Sequence, residues 1–314
     1  MRDRERDYFY GSQDADEEYY KLPKAEREKR EAPFTDRIAY TDRNAMMVSA
    51  YLEAALVLDE PWRAESALKA LGFLWRNCRR EGQGMYHYYD WKGEGLEEGE
   101  PHVPGLLADQ VWMAKALLDA YEYTGEGNYL LQAEELMKEV YTHWSDDEGG
   151  FFDRVDVPDA LGKLQERWKD IEENALAAEV ATRLHHLTGD AEHRKRAAST
   201  LEAFAAEYRG YRYFGARYAL AINRFFNPPL SVVVVGSAEE PLTGELRRAS
   251  LETYFPHRVV HTVDPVWEPE RLERLGYPPD PSPAAYICFG EVCAAPAKTP
   301  SEVKATIESL KEHG

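Results

Sequence analysis

The chain has 314 residues, 44% of them hydrophobic, and a formal net charge of −19. That length allows one large domain or a large and a small one, and the apolar content suffices for a sizeable core. The acidic balance excludes nucleic acid and anionic membrane surfaces as partners, because both repel a negatively charged protein.

The first ten residues alternate charges where a signal peptide needs an apolar run, and no stretch reaches the ~18 consecutive apolar residues of a membrane helix. Three cysteines, Cys78, Cys288 and Cys293, are too few for a disulfide framework or a four-thiolate zinc site. A cytoplasmic location is the expectation. Asp7-Tyr8-Phe9-Tyr10-Gly11 has the composition of an aromatic loop, and the acidic cluster Gln13, Asp14 and Asp16 follows it. A charged, helix-permissive connection then leads to Thr41.

Three segments superimpose without gaps: Asn44–Ala67, Gln110–Ala133 and Asn174–Ala197, a spacing of about 65 residues. Each opens on a carboxamide and continues as an Ala- and Leu-rich helical pattern. Each reaches a turn at one shared offset, at Asp59-Glu60-Pro61, Gly125-Glu126-Gly127 and Gly189-Asp190, before a second helical pattern. Gly125 and Gly189 suit the left-handed residue that ends a helix. The second helices are more charged, as befits a solvated face. Gly-aromatic stretches follow the pairs at 84–89, 149–152 and 210–213, so the repeat reads helix, turn, helix, aromatic loop. Stacked helical pairs form solenoids or close into toroids.

Pro228-Pro229 ends this region. Beyond it, strand-like runs at 231–236, 258–264 and 284–290 alternate with helical patterns, which predicts a small α/β layer with parallel pairing. The division is 1–226 for a helical-hairpin domain and 227–314 for a small α/β domain. Cys288 and Cys293 lack the two-residue spacing of a redox pair and read as separate thiols. A lone Gly236 after a strand is no phosphate loop, and no metal or cofactor motif is present.

The runs YGSQDADEE, DRNAMMVSAYLEAA, LLADQVWMAKALLDAYEYTGEGNYLLQA, GGFFD and AYICFGEVCAAPAKTPSEV carry a resemblance. In this order they are similar to the YyaL-type thioredoxin-domain-containing proteins, which include the spermatogenesis-associated thioredoxin-like proteins of animals. The resemblance implies a partial (α/α)6 toroid related to six-hairpin glycosidases and N-acylglucosamine 2-epimerases, mainly α, with an α/β tail. It implies that the family's thioredoxin-like domain and first hairpins are missing here. Two departures are visible: the tryptophan common before Asn44 is replaced by Asp42-Arg43, and a common Ser-Gly before Asn174 by Glu172-Glu173.

The candidate catalytic residues are Asp14, Asp109, Glu173 and His87, since paired carboxylates or an imidazole can move protons. Gln13, Asp16, Asn44, Tyr86, Gln110, Trp112 and Asn174 are candidate contacts to a polyhydroxylated ligand. Helix capping explains Asn44, Asp109, Gln110, Glu173 and Asn174 equally well. Tyr88, Trp91, Phe151 and Phe152 offer flat faces for sugar rings or fill the core, and His102 is a second histidine placed for proton transfer. Two functional classes stay open. One is a carbohydrate-transforming toroid, an epimerase-like or glycosidase-like enzyme. The other is a non-catalytic module completed by a second copy or by a separately encoded thioredoxin-like half.

Overall fold

The computed structural model describes residues 2–3, 5–92, 98–278 and 282–311. Near the N-terminus, β1 (Arg2–Asp3) pairs with β2 (Tyr8–Phe9), and β3 (Ser12–Gln13) with β4 (Thr35–Asp36), both antiparallel. Two short helices, α1 (Glu17–Lys21) and α2 (Lys24–Arg27), fill the charged connection between them. After β5 (Ala39–Tyr40) come the three hairpins the repeat predicts. They are α3 (Thr41–Val57) with α4 (Pro61–Cys78), α5 (Leu107–Thr124) with α6 (Gly127–His143), and α7 (Ile171–Thr188) with α8 (Ala191–Glu202). The strands β6 (Arg79–Arg80), β7 (Gly84–Lys92) and β8 (Glu98–Pro104) lie between the first two hairpins, and β7 pairs antiparallel with β5, β6 and β8. A further helix, α9 (Ala216–Phe226), packs on α7.

The first helix of each hairpin is the inner one, and α3, α5, α7 and α9 are successive neighbours in a row. Small buried side chains let them approach: Ala114, Ala116 and Ala120 on α5, and Ala175, Ala177, Ala178 and Ala181 on α7. The arc is part of a toroid, as the repeat and the resemblance imply. Inner helices end where the alignment places them. Gly125 (φ 79°) and Gly189 (φ 76°) adopt the left-handed conformation, and Asp59 (φ 53°) takes it at the equivalent position of the first hairpin.

The tail forms β9 (Leu230–Val235), α10 (Pro241–Glu252), β10 (Arg258–Val263), α11 (Pro269–Leu275), β11 (Ala284–Phe289), β12 (Val292–Cys293) and α12 (Pro300–Lys311). The sheet order is β10-β9-β11-β12. β9 and β10 are parallel, as expected, but β11 runs antiparallel to β9, which corrects the all-parallel expectation. Val232 and Val234 pack with α10 and α12, and Val233 and Val235 with Leu272 of α11.

The layer docks on the C-terminal ends of the inner helices. Buried Tyr121 of α5 donates to the Thr262 carbonyl and accepts from the Thr262 amide, both at 3.3 Å, while Arg271 donates to the same hydroxyl at 2.7 Å. Arg247 Nε donates to the Tyr123 carbonyl at 3.0 Å. Val259 of β10 joins the helical core directly. A second correction concerns Cys288 and Cys293, which are disulfide-bonded rather than separate thiols. The tight β11–β12 turn sets the two residues directly opposite each other, with Cα atoms 4.1 Å apart.

Candidate functional site

The opposite ends of the inner helices carry the candidate residues, and the three aligned carboxamides explain how that end is built. Asn44 Oδ1 accepts from the Phe9 amide at 2.7 Å, and its Nδ2 donates to the Phe9 and Tyr40 carbonyls at 3.0 and 2.8 Å. Gln110 repeats this pattern on Met85 (2.6 and 2.9 Å) and the Leu106 carbonyl (2.8 Å). Asn174 repeats it on Phe151 (2.7 and 2.9 Å) and the Asp170 carbonyl (2.8 Å). Each carboxamide is therefore a clamp: it pairs like a strand with one residue of the aromatic loop and ties the residue before its own helix. All three are buried, at 0–1% exposure, and their hydrogen atoms are fully used.

This replaces the ligand-contact role expected for Asn44, Gln110 and Asn174. It also replaces capping, since each stands four residues into its helix and only Asp170 caps with its side chain. Glycine precedes two of the clamped residues for a steric reason. A Cβ on Gly84 (φ 76°) would lie 2.4 Å from Gln110 Oε1, and one on Gly150 (φ 77°) would lie 3.0 Å from Asn174 Oδ1.

One residue before each clamp the three repeats diverge, to Arg43, Asp109 and Glu173. Asp109 is wholly buried, and both its oxygens lie 3.1 Å from His87 Nδ1. The Asp42 amide donates to Asp109 Oδ1 at 3.2 Å. His87 stands two residues after Met85 on β7, so the Gln110 clamp that fixes Met85 also aims the imidazole. Burial lifts the Asp109 carboxyl to about 6, against the opposing pull of His87. His87 is held above the usual imidazole value, first by its hydrogen bond to Asp109. Glu173 is more perturbed. Burial, then the charges of Asp170, Asp153, Asp109 and Asp42, push it up to about 8, and its Oε2 is buried with no hydrogen-bond partner.

Two expected catalytic groups, Asp109 and His87, thus meet with Asp42, and the charges of Asp109 and Asp42 reach the third, Glu173. Asp42 escaped the sequence reading, although it stands just before the Arg43-Asn44 pair. Asp42, His87 and Asp109 also present ligand atoms within 4.8 Å of one another, a donor set able to hold a cation. One helical turn on, Met46 and Trp112 begin a groove of about 620 Å³ along the inner faces, with Lys115, Asp119, Glu179 and Arg183 on its walls.

The remaining candidates lie elsewhere or are occupied. Gln13, Asp14 and Asp16 are exposed: Gln13 donates to the Pro33 carbonyl at 3.2 Å, Asp14 accepts from Tyr20 Oη at 2.8 Å, and Asp16 caps α1. The acidic cluster is local loop chemistry, which corrects the pocket role expected for it. Tyr86 donates to Gln83 Oε1 at 2.7 Å. Trp112 carries the Arg217 guanidinium over its ring at 4.9 Å, so that face is not free for a sugar. Trp91 packs against Tyr8, Phe73 and Tyr89, and Phe151 is core. Tyr88 stacks on His102 at 5.0 Å.

No protein-family model matches the chain. Human spermatogenesis-associated protein 20 is 24% identical over 300 residues, which cover 88% of this chain and 37% of the human protein. The rat protein of the same name is 23% identical over 83% of this chain and 35% of its own length. The chain thus spans little more than a third of these relatives. Among solved structures, an unsaturated glucuronyl hydrolase specific for heparin superposes with a TM-score of 0.52 at 14% identity, covering 62% of this chain and 61% of that one. A sugar epimerase from a ruminal bacterium superposes with a TM-score of 0.50 at 20% identity, over 66% and 50%. The chain is a homologue of spermatogenesis-associated protein 20 whose helical hairpins have the six-hairpin glycosidase-like fold.

Proposed function

We propose that Asp42, His87 and Asp109, together with Glu173 at the next inner-helix start, are an acid/base site that transforms a carbohydrate. The observation that carries this reading is the Glu173 carboxyl, lifted to about 8 with an unpartnered Oε2, beside the Asp109–His87 pair. At pH 7 Glu173 holds a proton to donate, while Asp109, near 6, is mostly ionised, so the Asp109–His87 pair can receive one. Two groups poised on opposite sides of neutrality suit proton transfer to and from a sugar, in epimerisation or in addition of water. The two superposed proteins, a sugar epimerase and an unsaturated glucuronyl hydrolase, supply the substrate class as analogy.

The test is a screen of reducing disaccharides and unsaturated uronyl disaccharides by proton NMR in deuterated buffer. Deuterium exchange beside the carbonyl, or loss of the unsaturated signal, supports the reading when Glu173→Gln abolishes it. No turnover of either class sinks it.

A second reading, a non-catalytic module completed by another chain, is favoured by the inner helices α3, α5, α7 and α9 forming a row. Light scattering of a stable dimer, together with a silent sugar screen, would favour it.

A further inference from the structure

A second cavity, of about 760 Å³, lies at the far end of the inner helices. Its walls are the turns at Gly125–Gly127 and Gly189-Asp190 on one side, and Asp264, Trp267 and Arg271 of the tail on the other. It opens at the carboxyl ends of parallel β9 and β10, where open α/β sheets receive ligands. Glu134 of α6 and Asp190 line it, and His193 of α8 stands beside them. These three side chains offer ligand atoms that all lie within 4.8 Å of one another.

His193 is the observation that turns an acidic pair into a site. It is 1% exposed, and its Nδ1 lies 2.9 Å from the buried Tyr141 hydroxyl, but its Nε2 is buried without a hydrogen-bond partner. A buried ring nitrogen left unpaired is costly, so an absent partner is implied. The two carboxylates have room for one. Lys138 engages only Glu134 Oε1, at 2.8 Å, and the Glu192 amide engages only Asp190 Oδ1, at 2.9 Å.

We infer that Glu134, Asp190 and His193 bind one divalent transition-metal ion, with zinc as the probe of choice. An imidazole among the donors disfavours calcium and magnesium, which take oxygen ligands. Two carboxylates and one imidazole leave a fourth position open to the cavity, as in a three-ligand zinc centre. Tyr141 serves as the outer partner that fixes the imidazole, leaving Nε2 for the metal. Zinc bonds of ~2.1 Å set tetrahedral ligands ~3.4 Å apart, a separation that falls within the 4.8 Å span of these three groups.

The experiment is calorimetric titration of zinc chloride into the EDTA-stripped full chain, repeated with cobalt(II) read by visible absorption. One equivalent binds to the unaltered chain, at least tenfold more weakly to E134Q and D190N, and not at all to H193Q. Asparagine retains the cap at position 190, and Glu134 lies at the rim, so these two variants report on binding even if H193Q fails to fold. H87Q binds as the unaltered chain does, which separates this site from the Asp42–His87–Asp109 cluster. Absence of binding to the folded chain at millimolar zinc, undiminished affinity in E134Q and D190N, or loss in H87Q instead would each overturn the inference.

Discussion

The inner helices present two contrasting ends. At their C-terminal ends the α/β layer covers the helices, and Tyr121, Arg271 and Arg247 meet partners on the other side of the junction. At their N-terminal ends the clamps satisfy the backbone, yet the residues just before two of them, Asp109 and Glu173, are carboxylates pushed away from their ordinary behaviour by burial. One end is covered by a second layer, with a cavity left between the two. The other keeps the unpaired Glu173 carboxyl. The three repeats share one clamp, and the residue just before it differs in each.

That contrast can be broken most strongly at Glu173. Glu173→Gln removes the proton donor and lowers sugar turnover by ~10²–10⁴-fold, read from initial rates at pH 7. The same variant tests the electrostatics. A carboxyl lifted to about 8 in the fold, from 4.5 as its ordinary value, favours folding fully only below about 4.5, and that contribution is lost as pH rises towards 8. Denaturant titrations of the unaltered chain therefore lose stability between pH 5 and 8, on the order of a few kcal/mol, and Glu173→Gln flattens the slope. An unchanged slope removes Glu173 from the mechanism.

Next in size are the clamps. Asn174→Ala strands a buried amide and two carbonyls and costs about 3 kcal/mol by urea denaturation, with Asn44→Ala similar. A loss under 1 kcal/mol would return these side chains to ligand binding. Gly84→Ala, strained in φ and forced against Gln110, costs about 2 kcal/mol and also disturbs His87 through β7. At the covered end, Tyr121→Phe costs about 1 kcal/mol and leaves turnover untouched. If turnover falls with it, the two ends are coupled and the contrast fails.

The arrangement of hairpins was legible because the repeat carries its own ruler: the carboxamide, the turn and the second-helix alanine (Ala67, Ala133 and Ala197) keep one register through three copies. The same register misdirected the reading of Asn44, Gln110 and Asn174. Position along a chain reveals recurrence but not the partner, and each partner lies on a loop 23–35 residues upstream. Asp109, His87 and Glu173 were found as residue types at suggestive places, whereas their convergence depends on the clamp that aims β7. Gln13, Asp14 and Asp16 stood out by composition and by the resemblance of YGSQDADEE, and neither distinguishes a pocket from a self-bonded loop. The Cys288–Cys293 bond depends on the tight β11–β12 turn, and the reversed β11 on the end at which the chain re-enters the sheet, and periodicity encodes neither.

The clamps also fix where the molecule can be divided. Each aromatic loop is held by the helix that follows it, so the indivisible segment is loop plus next hairpin, offset by half a unit from the helix pair that the eye picks out. A cut placed between a loop and its helix would strand a buried carboxamide on one fragment and an unpaired strand on the other. A cut just before a loop would strand neither. Any duplication, deletion or graft of these hairpins that survives folding is expected to begin at residues such as Gly84 or Gly149, never at Asn44 or Gln110.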